Sequence, residues 1–166
     1  ELPQPIVAAV NGHAAGLGAT LALFCDVIYV AQHARISDPH VRVGVAAGDG
    51  GAIIWPLLVG PARAKEYLMT GDPVSAAEAE RIGLVNHVVP GDEVLARATA
   101  MAVRMATGPR RAIEATKASV NKLLRDAVNL VLDTSLSLEK ANFSDDDHKE
   151  AIAAFAQKRE PRYTGR

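Results

Sequence analysis

Two short apolar runs, Ile6-Val7-Ala8-Ala9-Val10 and Asp26-Val27-Ile28-Tyr29-Val30-Ala31, enclose a glycine-containing turn and an apolar helical stretch. No other feature constrains the chain as much. Strands that stay apolar without alternating are buried, and parallel strands need neighbours on both sides. Asn11-Gly12 ends the first run as a turn. The small residues Ala14-Ala15-Gly16-Leu17-Gly18-Ala19 lead into Leu21-Ala22-Leu23-Phe24-Cys25, expected as a buried helix. Ala34–Ser37 reads as a fourth short element, Asp38 to Gly51 as a loop, and Ala52–Val59 as a helix that Pro56 bends or ends early. Strand, helix and strand in this order give an α/β layered fold.

After Gly60 the period changes. Ala62–Met69 predicts a helix ended by Thr70-Gly71. Ser75-Ala76-Ala77-Glu78 predicts a capping box, in which each side chain satisfies the other's backbone N–H, opening a helix through Arg81. Gly83 stops it, and Leu84–Val89 is extended. Beyond Pro90-Gly91 only helices are expected. Val94, Leu95, Ala98, Met101, Ala102 and Met105 share one face. Ile113, Lys117, Val120 and Leu124 mark a second helix and Val128–Leu138 a third; a fourth, capped by Ser144-Asp145-Asp146-Asp147, runs to about Lys158. The organisation is an α/β portion over residues 1–91 and a helical appendage over 92–166.

Composition excludes several function classes. With 18 Lys and Arg against 19 Asp and Glu, the chain lacks the polycationic surface of a nucleic-acid or anionic-membrane binder. One cysteine rules out a disulfide framework and a multi-cysteine zinc site. No apolar run approaches the roughly 20 residues of a membrane helix. The expected setting is cytoplasmic, without nucleic-acid or membrane partners.

Two segments could carry chemistry. From Asn11 to Thr20, a strand, a turn and a helix start would place backbone N–H groups at a positively polarised helix end, able to hold an anion or a developing oxyanion. Small residues there equally serve close packing. In the loop after the fourth element, His40 could act as a general base, with Asp49 folding back to orient its imidazole. The plainer reading makes Asp49 an N-cap and His40 an ordinary loop residue. His13 adjoins the glycine turn and stays open; His33, His87 and His148 are scattered and lack metal-ligand spacing. Cys25 reads as a small core residue, and Asp145-Asp146-Asp147 as a solvated cap with too few ligands for a metal.

Pro5-Ile6-Val7-Ala8-Ala9-Val10-Asn11-Gly12-His13-Ala14-Ala15-Gly16-Leu17-Gly18 resembles the signature of the enoyl-CoA hydratase/isomerase (crotonase) superfamily. The resemblance continues through Cys25-Asp26-Val27-Ile28-Tyr29, Thr70-Gly71-Asp72-Pro73-Val74-Ser75-Ala76-Ala77-Glu78-Ala79, Ile82-Gly83-Leu84-Val85-Asn86 and Asp146-Asp147-His148-Lys149-Glu150 to Lys158-Arg159. It implies a ββα spiral core, a helical domain that forms trimers or dimers of trimers, and acyl-CoA substrates. Coenzyme A is then part of the substrate, and no metal or other cofactor is implied. The Leu17 N–H, between Gly16 and Gly18, is implied as one oxyanion donor. The other donor comes from a segment upstream of Ile6. Thr20, Pro39, Val43 and Gly48 are implied to line the substrate site with Gly16 and Gly18.

The catalytic positions depart from the hydratase pattern. The two glutamates that position water in the family correspond here to Thr20 and His40, so the two-glutamate mechanism is not expected. Pro39-His40 through Gly48-Asp49-Gly50 and Trp55-Pro56 resemble a smaller branch, the β-diketone hydrolases, in which a His–Asp pair activates water. Three readings follow: an acyl-CoA enzyme with His40 as base, a carbon–carbon bond hydrolase with a His40–Asp49 dyad, or a binding protein without catalysis. Crotonase-like subunits are longer than this chain by about half again. The expectation is therefore the C-terminal part of a larger subunit, inactive by itself.

Overall fold

The computed structural model describes residues 2–166. Strand β1 (Val7–Val10) is followed by β2 (Ala14–Ala15), helix α1 (Leu17–Leu23), β3 (Val27–Ala31) and β4 (Arg35–Ser37). A 3₁₀ turn (His40–Val43) leads to α2 (Gly51–Val59), α3 (Pro61–Thr70), β5 (Val74–Ser75), α4 (Ala76–Arg81) and β6 (His87–Val89). Three helices complete the chain: α5 (Val94–Ala106), α6 (Arg110–Asn142) and α7 (Asp146–Ala156).

The strands form two small sheets. In one, β3 runs parallel to both β1 and β6; in the other, β4 pairs parallel with β2 and antiparallel with β5. Helices α1, α2 and α4 pack around them, which gives the mixed α/β core the sequence calls for. β3, the central strand, is the apolar run the sequence suggests, with Val30 and Ala31 fully buried. β1 is less buried than expected, because among the described residues only β3 pairs with it. The core centres on Trp55, Leu23, Ile36, Leu84 and Val30, and Trp55 packs against Tyr67 with ring centroids 5.9 Å apart. Val94 and Ala98 of α5 join the same cluster.

Four local expectations change. The first helix begins at Leu17 and ends at Leu23, so Cys25 lies in the turn behind it, its thiol donating to the Leu21 carbonyl at 3.4 Å. Burial, with Asp26 next to it, pushes the Cys25 thiol up and keeps it protonated. Half of the capping box forms: Ser75 Oγ accepts from the Glu78 N–H at 3.3 Å, but the Glu78 carboxylate turns to Arg81 instead of reaching back. The expected second and third appendage helices are one helix of 33 residues, since nothing between Leu124 and Val128 breaks it. Finally, α7 stops at Ala156, and the polar tail folds back over its start. The Arg166 carbonyl accepts from the Asp146 and Asp147 N–H groups, and the Asp147 carboxylate accepts from Thr164 and Gly165 N–H. Among the described residues no helix is long and apolar enough to cross a membrane.

Candidate active site

The site begins with Gly16. Its φ of 52° and ψ of −129° suit glycine, and this kink turns the chain from β2 into α1. A Cβ on Gly18 would meet nothing within 4 Å, so close packing does not explain the second glycine. Leu17 occupies the first helical position, where helix geometry leaves the N–H without an intrahelical acceptor. Its side chain is exposed.

His40 stands against this turn. A Cβ placed on Gly16 would lie 3.6 Å from His40 Cε1. The imidazole is held from the other side by Asp38, which is 1% exposed and accepts a hydrogen bond from His40 Nδ1–H. With Nδ1 engaged, Nε2 is the free nitrogen. It faces two more carboxylates, Asp49 at 3.5 Å and Glu139 of α6 at 3.8 Å. Thr20, buried on α1, donates through Oγ1 to Asp49 at 3.4 Å.

These neighbours set the protonation chemistry. The hydrogen bond to Asp38 raises the His40 pKa above its ordinary value, against the opposing pull of burial, and the charges of Asp38, Asp49 and Glu139 add to the rise. Burial pushes the Glu139 carboxyl up; the nearby Asp49 and Asp38 charges act in the same direction and His40 opposes them. The other Asp38 oxygen has no hydrogen-bond partner among the described residues and lies at the start of α2. A Cβ on Gly51 would stand 2.0 Å from this oxygen, so the glycine there makes room for the carboxylate.

The loop from Gly44 to Gly50 lies flat on α6. Ser135 Oγ donates to the Gly48 carbonyl at 3.0 Å, and Asn142 Oδ1 accepts from the Ala46 N–H at 3.1 Å. Ser135, Glu139 and Asn142 share one face of the helix. Two of them fix the backbone of the loop while the third points at His40.

Gly16, His40, Asp49 and Thr20 are neighbours here, and Leu17 follows Gly16 at the start of α1. The orienting role expected of Asp49 falls to Asp38, which holds Nδ1, while Asp49 stands 3.5 Å from Nε2. Asp49 is not an N-cap; that position belongs to Gly50. Pro39 precedes the 3₁₀ turn, Val43 closes it with its side chain exposed, and Gly48 is buried against α6. His13 accepts the Arg35 N–H at 3.0 Å and has a structural task. Sequence reasoning misses Asp38 and Glu139. The Asp38-Pro39-His40 spacing could have signalled the first, whereas 99 residues separate Glu139 from His40 and nothing in the sequence joins them.

Asp38, His40 and Asp49 offer ligand atoms within 4.8 Å of one another. Asp38 accepts from Nδ1 of the ring, while Asp49 stands 3.5 Å from Nε2. Two apolar clefts of about 280 and 400 Å³ lie between Pro5 and helices α5 and α6, and none of the His40 cluster lines them.

The enoyl-CoA hydratase/isomerase family model matches residues 1–166. The chain belongs to this family. It is 38% identical over 170 residues to a probable enoyl-CoA hydratase of Mycobacterium tuberculosis, covering 98% of this chain and 63% of that protein. It is 36% identical to a crotonyl-CoA hydratase of Syntrophomonas wolfei, covering 98% of this chain and 62% of the relative. Among solved structures, a carnitinyl-CoA hydratase from Mycobacterium avium superposes with a TM-score of 0.94 at 31% identity, covering all of this chain and 65% of that one. The chain therefore spans somewhat under two thirds of the length of these relatives, and its fold is the crotonase fold.

Proposed function

We propose that the protein acts on an acyl-CoA thioester through an enolate, with His40 as the group that moves the proton. The observation that carries this reading is the position of His40, locked by buried Asp38 on Nδ1 with its Cε1 edge against Gly16, the residue before Leu17. Enoyl-CoA and crotonyl-CoA hydratases among the relatives supply the substrate class.

In this reading the Leu17 N–H holds the thioester oxygen as negative charge develops on it. Neutral His40 takes a proton at Nε2 from water as the water oxygen bonds to the β-carbon, and the electron pair moves through the α-carbon to the thioester oxygen. The imidazolium, stabilised by Asp38, then returns that proton to the α-carbon. An allylic double-bond shift would use the same enolate, with His40 lifting a proton from one carbon and delivering it to another. Asp49 and Glu139, 3.5 and 3.8 Å from Nε2, would hold the water in this reading, since the family's two glutamates are replaced by Thr20 and His40. Asp49 is steadied by the Thr20 hydroxyl.

A panel of enoyl-CoA thioesters with the intact protein and with His40→Ala tests the reading. The expected outcome is turnover that falls by about 10²–10⁴-fold in the variant. Turnover unaffected by the substitution, or hydrolysis of β-diketones lacking coenzyme A in place of thioester chemistry, would overturn it. The working assembly is proposed to be a homotrimer or a dimer of trimers in the cytoplasm, which sedimentation of the purified protein would test.

A further inference from the structure

The 3₁₀ turn that carries His40 ends in two backbone carbonyls, Arg42 and Val43, of the kind that a short helical turn leaves without donors. Both are satisfied from the far end of the chain. The Tyr163 hydroxyl donates to the Arg42 carbonyl at 2.7 Å, and His148 Nδ1–H donates to the Val43 carbonyl at 2.6 Å. Gly44, left-handed with φ 72°, lies so close to α7 that a Cβ on it would stand 2.9 Å from the His148 backbone. The segment supplying these donors is itself fixed. Asp147 holds the Thr164 and Gly165 N–H groups, and Glu150 pairs with Arg159 and accepts from the Arg162 N–H. The edge of the Phe143–His148 ring pair, at 5.1 Å, adds to the orientation of His148.

We propose that α7 and the tail after it form a latch on the turn bearing His40, with Tyr163 and His148 as positioning residues that keep its imidazole against Asp38 and the α1 turn. Its importance for turnover rests on the function proposed above; the latch itself does not. The chemistry is well suited to a permanent hold. Burial, with Asp147 and Glu150 nearby, pushes the Tyr163 phenol up, so it remains a donor across the working range. A histidine donating through Nδ1 does so both as the neutral tautomer and as the imidazolium.

The test reads the turn directly. In the intact protein, Tyr163→Phe removes one hydroxyl, and His148→Leu removes the other donor; His148→Asn keeps an N–H donor close to the original position. Amide exchange at Val45, Gly44 and Arg42, and NMR titration of His40, report the turn without any substrate. The charged groups facing His40 are Asp38 from the β4 end, Asp49 from the loop before α2 and Glu139 from α6. None of them is altered by these variants.

The expected result is exchange about fivefold faster for each lost donor. His40 should titrate closer to its ordinary value in Tyr163→Phe and His148→Leu, with His148→Asn near wild type. Unchanged exchange and unchanged His40 titration in both Tyr163→Phe and His148→Leu would overturn the proposal. A shifted titration in a protein that turns over no acyl-CoA would leave the latch standing and remove the function proposed above.

Discussion

Gly48 and Glu139 are packed so tightly that a Cβ built on the glycine would stand 2.6 Å from the Glu139 Cβ and 2.6 Å from the Ser135 carbonyl oxygen. Those atoms belong largely to the α6 backbone region and cannot swing aside. Gly48→Ala should lift the Asp49-bearing loop off the helix and cost about 1–3 kcal/mol of stability. Urea unfolding of the variant reads this directly, and a midpoint equal to wild type would mean that the loop does not rest on α6.

The Asp38–His40 pair makes a pH prediction with a definite sign. Because the folded-state pKa of His40 is raised, chiefly by its bond to Asp38, the pair stabilises the fold most at pH values below the ordinary histidine pKa of about 6.5. That stability is lost as the pH rises through the higher folded value. Asp38→Asn should therefore lose more stability at pH 5.5 than at pH 8.5, and the acidic limb of kcat/KM should move to lower pH. Thermal melts at the two pH values separate this from a uniform packing loss.

Glu150 has the opposite sign. Its bonds from Arg159 and the Arg162 N–H lower its pKa to about 2, and Asp147 is lowered by the Thr164 N–H. The stabilisation of the tail is complete above the ordinary carboxylate range, near 4.3 for glutamate, and is lost as the pH falls toward about 2. NMR signals of Tyr163 and Thr164 should lose their docked shifts over that acidic window while Trp55 remains buried. Tail signals that stay docked down to pH 2 would contradict the assignment.

Trp55 is fully buried and is the chain's single tryptophan. Trp55→Phe leaves part of that volume empty and removes an indole N–H that has no partner among the described residues. The two effects oppose each other, so the substitution should cost less than the roughly 3–5 kcal/mol expected for Trp55→Ala. Denaturant curves followed by circular dichroism compare the two variants.

The layered core is legible in the sequence because β3 is apolar along its length and because Gly16, Gly44 and Gly71 mark left-handed turns where other residues rarely go. His40 and Asp49 are legible for a related reason, since both stand in a glycine-rich loop that follows a strand. The extent of α6 is not. Its apolar positions drift around a long solvated helix, so the faces marked over residues 113–124 and 128–138 read as two helices where one runs unbroken. Glu139 is hidden by distance along the chain. Only tertiary packing, through Ser135 and Asn142, carries it to a histidine that the sequence places at the other end of the fold.

The unbroken α6 makes a lever of the appendage. Lys117, near one end, grips Asp26 at 2.7 Å and the Gln4 carbonyl at 2.8 Å, so the helix is anchored to the strand that opens the sheet. Glu139 sits 22 residues further on, about 33 Å along the axis. A tilt of one degree about the anchor would carry its carboxylate roughly 0.6 Å. Under the function proposed above, a change at the Lys117 anchor would reach His40 through Glu139 to the extent that the Ser135 and Asn142 contacts with the loop yield.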